Sequence, residues 1–240
     1  VTAAVCTAWA RGSARWSFLR QSWSRPVLTG AIAPSGSRLA RSLTAPVLER
    51  TGRPLTVLEV GAGTGAVTRV LLPLLAPGSR LDVVEVNPAF LPALRDLLTG
   101  APVDARLHGV AFADAEPHLA AGYDVIVSAL PFTNFDPDFV RSTLDRYEEL
   151  LQPGGSLTWF AYLGSRHLRG LTGSHADRLR HARVEHLLAA RGGSRHDVWG
   201  NLPPARVTRL LADPPDQDPS GASVLVEEPT PARHLDLQGH

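Results

Sequence analysis

Residues 55–69, LTVLEVGAGTGAVTR, run from an apolar, β-branched stretch through three glycines into a helix-like stretch. The alternation repeats downstream. LDVVEV (81–86) leads to AFLPALRDLL (89–98), and YDVIVS (123–128) leads to DFVRSTLDRYEELL (138–151), the turn QPGG and SLTWFAYL (156–163). Strands alternating with helices predict βαβ units on a parallel sheet covered on both faces. Within the first unit, AVTRVLLPLL (66–75) is expected to be the helix. After SLTWFAYL, SHADRLRHARVEHLLAA (174–190) reads as one more helix, stopped by Gly192 and Gly193. RHDVWG (195–200) and ARVTRLL (205–211), on either side of NLPP, read as a closing antiparallel pair. The expected fold is therefore α/β, doubly wound and mostly parallel, ending in an antiparallel hairpin.

Composition sets the limits. The 240 residues, 44% hydrophobic and 20% charged, suit one domain with extensions. The expected division is a basic helical segment over 1–50, the α/β domain over 51–211, and an acidic tail over 212–240 in which SVLVEE forms at most a short edge strand. A single cysteine, Cys6, excludes an internal disulfide or a cysteine zinc site and favours a reducing, cytoplasmic setting. No apolar stretch approaches the roughly 20 residues that cross a bilayer, and VTAAVCTAWARG is too weakly apolar for a signal peptide. All 24 basic residues are arginine, a mark of coding bias, and the net charge of +1 hides a basic front and an acidic end. The nine histidines show no metal-ligand spacing, so no metal is expected; His181 and His186 are expected to be solvated.

The spacing at Gly61, Gly63 and Gly65 is G-x-G-x-G, which differs from the G-x-G-x-x-G of dinucleotide sites and lacks the Gly-Lys-Ser/Thr of a phosphate loop. Glycines let the chain turn sharply and the backbone approach a ligand, and the following helix start offers free N–H groups. Glu85 ends the second strand about 20 residues later, where an acid can accept both ribose hydroxyls of an adenosine cofactor. Glu59, just before the glycines, sits near that cofactor's charged end. This order favours S-adenosyl-L-methionine over a nicotinamide cofactor, with Glu59, Gly61, Ala62, Gly63, Gly65 and Glu85 as its binding residues. Asp114, after the expected third strand, is assigned to the adenine amino group, and Ser128 to the cofactor side or to the acceptor.

The reacting end falls on SALPFTNF, residues 128–135. Enzymes that methylate amines often end their fourth strand with Asn or Asp, then an apolar residue, Pro and an aromatic; here Ala129 stands where the amide would be. Displacement at carbon is strict about direction, so something must hold the amine. The main-chain carbonyls of Ala129 and Leu130 are candidates, with Pro131 fixing the chain. Phe132 can offer a ring face to a cation, and Tyr162 and Trp159 can complete an aromatic wall, although Trp159 reads equally as core. The proton acceptor is open between Tyr162 and an anionic group of the substrate.

At the front, Trp9, Trp16 and Trp23 recur every seven residues among Arg11, Arg15 and Arg20, a pattern that suits an interfacial helix or one packed on the domain. Ser35, Gly36 and Ser37 open a further helix whose N–H groups can meet an anion or a plain cap.

Together "FLRQ", "GAIAPSG", "VLEVGAGTGAVTR", "VVEVNPAF", "VSALPFTNF", "LQPGGSLTWFAY" and "GNLPPARV" resemble the bacterial phospholipid N-methyltransferases and the ornithine lipid N-methyltransferases, from about Phe18 to Leu210. The resemblance implies a class I methyltransferase that methylates a lipid headgroup amine at the inner face of the cell membrane, with a peripheral location, an anionic membrane partner and no nucleic acid. It also implies that the SALPF segment and Tyr162 face the amine, since that family commonly has a small residue before Leu-Pro. The chain departs from the family at Phe132, Thr133 and Val110. Alternatives are a methyltransferase of a soluble amine or of ribosomal RNA adenine, and an inactive cofactor-binding scaffold.

Overall fold

The structure is a computed structural model that describes residues 34–163, 174–201 and 203–213. In chain order it contains α1 (Pro34–Leu43), α2 (Ala45–Leu48), β1 (Thr56–Val60), α3 (Thr68–Leu71), β2 (Arg80–Val84), α4 (Leu91–Leu98), β3 (Asp104–His108), α5 (Phe112–Ala115), β4 (Tyr123–Ser128), α6 (Pro137–Leu150), β5 (Leu151–Tyr162), α7 (His175–Ala190), β6 (Ser194–Val198) and β7 (Ala205–Leu211), with short 3-10 turns between some of them. The strands form one seven-stranded sheet in the order β3-β2-β1-β4-β5-β7-β6. Pairing is parallel from β3 to β5, and β7 runs antiparallel to both β5 and β6. The doubly wound sheet and its closing hairpin are as expected.

Central strands are apolar because both of their faces are covered: all six residues of β4 are buried. One core gathers Leu39, Leu43, Val47, Leu71 and Leu94 from α1 to α4 against Val57, Val125 and Val127. The other gathers Phe112, Val140, Leu144, Tyr147, Val184 and Leu188 from α5 to α7 against Leu58, Ile126 and Leu157. α6 shows how the sequence achieves this. Asp136 caps it by accepting from the Asp138 N–H at 3.0 Å, Pro137 opens it, and Val140, Thr143, Leu144 and Tyr147 form its buried stripe.

Three expectations change. The helix expected over 66–75 is one α-helical turn, α3, continued as a 3-10 turn over Leu72–Leu74, because Pro73 has no N–H to give and its ring obstructs the preceding turn. QPGG lies inside β5 as an irregularity: the register passes from Tyr123↔Leu151 to Val125↔Ser156, leaving residues 152–155 opposite Asp124. Asp124 holds that bulge and the start of β1 together, accepting from Gln152 Nε2 (2.5 Å), the Thr56 N–H (2.9 Å) and Arg53 (2.5 Å). Finally, α1 and α2 fall within the segment 1–50 yet belong to the domain core, and Thr158 Oγ1 donates to the Leu43 carbonyl at 2.9 Å. The Trp9, Trp16 and Trp23 helix and SVLVEE lie outside the described residues.

Candidate active site

Strand order reverses at β1, which has β2 on one side and β4 on the other, and open α/β sheets bind ligands at the carboxyl ends of the strands flanking such a point. The glycine loop leaves β1 there. Gly61 donates to the Val84 carbonyl at 2.9 Å, and Gly65 donates to the Ala62 carbonyl at 2.9 Å. Gly61, Gly63 and Gly65 have φ of 80°, 55° and 80°, the left-handed region that suits glycine. Their surroundings differ. A Cβ on Gly61 would lie 2.8 Å from Leu130 Cδ2 and one on Gly65 2.9 Å from Leu97 Cδ2, whereas one on Gly63 would meet nothing nearer than 4.0 Å. Gly61 and Gly65 therefore let neighbouring elements close in, and Gly63 keeps an open cradle.

Two acids complete this end. Glu85, buried at the end of β2, accepts from the Gly63 N–H at 2.7 Å through Oε2 and from the Asn87 N–H at 2.6 Å through Oε1. A carboxylate has about four lone-pair sites, so acceptor capacity remains for a ligand hydroxyl. Burial pushes the Glu85 carboxyl up against the downward pull of these N–H groups. Glu59 is fully buried; its Oε2 accepts from Thr68 Oγ1 at 2.7 Å, while its Oε1 has no partner. Burial raises its pKa to about 7, opposed by hydrogen bonds from Thr68. An orphaned buried carboxylate oxygen, a second acid with spare acceptor sites and an open glycine cradle fit a ligand that carries a cationic end and ribose hydroxyls, as S-adenosyl-L-methionine does.

At the acceptor end the Ala129 N–H donates to the Val60 carbonyl at 2.8 Å, tying the loop to β1. Pro131 has φ −77° and ψ 72°, an inverse γ-turn closed by the Phe132 N–H on the Leu130 carbonyl at 2.9 Å. The Pro131 and Phe132 carbonyls accept from the Asn134 and Phe135 N–H groups at 2.9 and 3.0 Å. Among the described residues only the Ala129 carbonyl in this run from 129 to 132 is left without a donor.

The structure separates the expected acceptor residues. Phe132 is fully buried in the core beside α6, so its ring offers no face to a cation. Ser128 points by strand alternation to that same side, its buried Oγ 3.4 Å from the Tyr147 hydroxyl of α6. Trp159 is core. Tyr162 remains at the carboxyl end of β5, half-buried and edge-on to Phe160 with centroids 5.1 Å apart; burial pushes its phenol up. Asp114 is exposed in the first turn of α5, and Val110 is exposed just after β3. His181 is buried rather than solvated: its Nδ1 lies 3.4 Å from the Thr133 carbonyl and its Nε2 3.2 Å from Glu185 Oε1, so it sits beneath the acceptor loop. Its place on the stripe His181, Val184 and Leu188 is the signal that reveals it; His186 is exposed. No group of three or more metal-ligating side chains occurs among the described residues.

Residues 58–157 match the model of a methyltransferase domain. The chain is 25% identical to an ornithine lipid N-methyltransferase of Singulisphaera acidiphila over 143 residues, 58% of this chain and 73% of that protein. It is 34% identical over 95 residues to a ribosomal RNA small subunit methyltransferase A of Phenylobacterium zucineum, covering 39% of this chain and 32% of that protein. Its fold is like that of the O-methyltransferase TomG from Streptomyces achromogenes, solved with S-adenosylmethionine, at TM-score 0.53 and 18% identity over 76% of this chain and 82% of that one. Sheet order, glycine cradle and acid pair thus define a class I methyltransferase fold. With the matched domain, the chain is an S-adenosyl-L-methionine-dependent methyltransferase.

Proposed function

We propose that the protein methylates the amine nitrogen of a membrane lipid headgroup, phosphatidylethanolamine or ornithine lipid. The acceptor loop carries this reading. With Ala129 at the end of β4, a main-chain carbonyl takes the place of the amide side chain that holds a freely diffusing amine. One acceptor fixes a nitrogen lone pair poorly, and in-line displacement depends on that direction. A headgroup anchored in a bilayer arrives with its orientation already restricted, so less is asked of the site. The similarity to an ornithine lipid N-methyltransferase over 73% of that protein supports the same reading.

When bound, the cofactor supplies a methyl group on a sulfonium. The Gly61–Gly65 backbone would cradle it, Glu85 would accept its ribose hydroxyls and Glu59 would answer its ammonium. The Ala129 carbonyl accepts an N–H from the substrate amine and so orients its lone pair. The nitrogen gives up one proton for each methyl it gains. Tyr162, whose phenol burial keeps neutral, stands at the carboxyl end of β5 and can accept a hydrogen bond without acting as an anionic base. The substrate's own phosphate or carboxylate is then the nearest group of suitable basicity. Purified protein with labelled S-adenosylmethionine and vesicles containing either lipid tests the reading: label is expected in the lipid extract. Intact cofactor binding with no label in either lipid would refute it and direct the search to soluble amines and RNA.

A further inference from the structure

We infer that the turn between β6 and β7, through Trp199 and Arg38, is the surface by which the protein docks on an anionic lipid bilayer; the inference rests on the lipid reading above. Trp199 is 71% exposed, the most exposed large hydrophobic side chain among the described residues. Hydrogen bonds brace the described residues of the turn that displays it. The Asn201 N–H donates to the Val198 carbonyl at 3.4 Å, buried Asn201 donates through Nδ2 to the Pro203 carbonyl at 2.7 Å, and the Leu163 N–H donates to the Pro204 carbonyl at 2.8 Å. A ring held outward on a braced turn is displayed rather than merely left over.

Its location suits docking. Val198 is in register with Ala205, and Ala205 with Tyr162, so Trp199 lies one residue beyond the level of Tyr162 and two strands across. At about 4.8 Å per strand that is a lateral offset of roughly 10 Å at the carboxyl edge of the sheet, where the substrate must enter. Arg38 of α1 lies against the next residue: a Cβ on Gly200 would collide with its guanidinium. Arg206 is paired with Asp197, Arg209 with Glu49, and Arg195 donates to the Ala189 carbonyl, while Arg38 is exposed and forms no ion pair among the described residues. An indole beside an unpaired guanidinium matches the interfacial layer of an anionic membrane, the ring at the headgroups and the cation on lipid phosphate. A protein partner fits less well. One tryptophan presents about 150–250 Å², far below the 1,200–2,000 Å² or so of a stable protein interface.

The test uses the full chain and vesicles of phosphatidylglycerol and phosphatidylcholine, which contain no amine to be methylated, so docking is read apart from chemistry. Trp199→Ala and Arg38→Gln are each expected to weaken co-sedimentation about fivefold, and Arg38→Gln to flatten its salt dependence. Both variants should keep the wild-type melting temperature and wild-type transfer to short-chain phosphatidylethanolamine dissolved as monomers. Equal partition of wild type and variants overturns the inference, as does a change of oligomeric state in Trp199→Ala with unaltered partition, which would make the turn a contact between copies. Failure of transfer to any lipid while partition still depends on Trp199 would strike the proposed substrate and leave the docking surface standing.

Discussion

Replacing Glu59 with Gln probes the least satisfied group in the site. Burial raises its carboxyl from 4.5 to about 7. The sign follows from proton binding: between those values the folded protein holds a proton that the unfolded chain has released, so stability is fully present below about pH 4.5 and falls as pH rises to about 7. A difference of 2.5 units corresponds to about 3 kcal/mol at most. Cofactor binding should run the other way, since the ionised carboxylate answers an ammonium. Affinity for S-adenosylhomocysteine is expected to rise with pH to about 7, by at most about tenfold per unit, and then level off. Glu59→Gln keeps an oxygen for Thr68 and removes the charge. The free variant should therefore melt higher than wild type at pH 8 and no higher at pH 5, and should bind cofactor at least about tenfold more weakly at pH 8 with a flat pH profile. Thermal melts with and without S-adenosylhomocysteine, together with calorimetric titrations at pH 5.5, 7 and 8.5, measure both effects. A variant with wild-type affinity and the wild-type pH profile would refute the assignment of Glu59 to the cofactor's cationic end.

Gly63→Ala places a methyl in the open cradle at φ 55°, and is expected to cost about 1–2 kcal/mol of stability while abolishing most cofactor binding; a loss no larger for cofactor than for folding would count against the cradle. His181→Ala should lower kcat about tenfold with cofactor affinity unchanged, because it removes the support under the Thr133 carbonyl and not a ligand contact; stopped-time assays with parallel titrations separate the two. Asp82 accepts from Arg80, His108 and Tyr123, whose hydrogen bonds outweigh the upward push of burial and hold its carboxyl below 3.8. Asp82→Asn should cost about 3 kcal/mol at pH 6, a gap in melting temperature that closes as pH falls below about 4, with cofactor affinity intact.

Much of the frame was legible because it is written in periodicity. Runs such as LTVLEV and YDVIVS are strands buried on both faces, the glycines mark the turn, and RHDVWG with ARVTRLL pairs as read. The place of Glu59 and Glu85 beside the glycine loop was legible from their offset in sequence, although the orphaned Oε1 was not, because it depends on which partners α3 brings. What failed shares one cause: proximity in sequence was taken for proximity in space. Ser128 and Phe132 flank the acceptor loop, but strand alternation turns the first toward Tyr147 and the turn at Pro131 sends the second into the core. His181 was misjudged the other way: the stripe it shares with Val184 and Leu188 marks it as buried, but its partner Thr133 lies 48 residues away in sequence.

The two ends of the site are unlike, and the difference bears on substrate. The cofactor end has an excess of buried acceptors, Glu59 Oε1 unpaired and Glu85 with capacity to spare, so binding gains from meeting a cation and hydroxyls. The acceptor end differs: Phe132, Thr133 and Phe135 are buried in the core, and in the run from 129 to 132 the carbonyl left without a donor among the described residues is that of Ala129. A soluble amine must supply all its own orientation there and should react slowly even when saturating. An amine tethered to a surface at the same edge has most of that orientation imposed from outside, which is why Ala129 in place of an amide side chain and the exposed Trp199 point in the same direction.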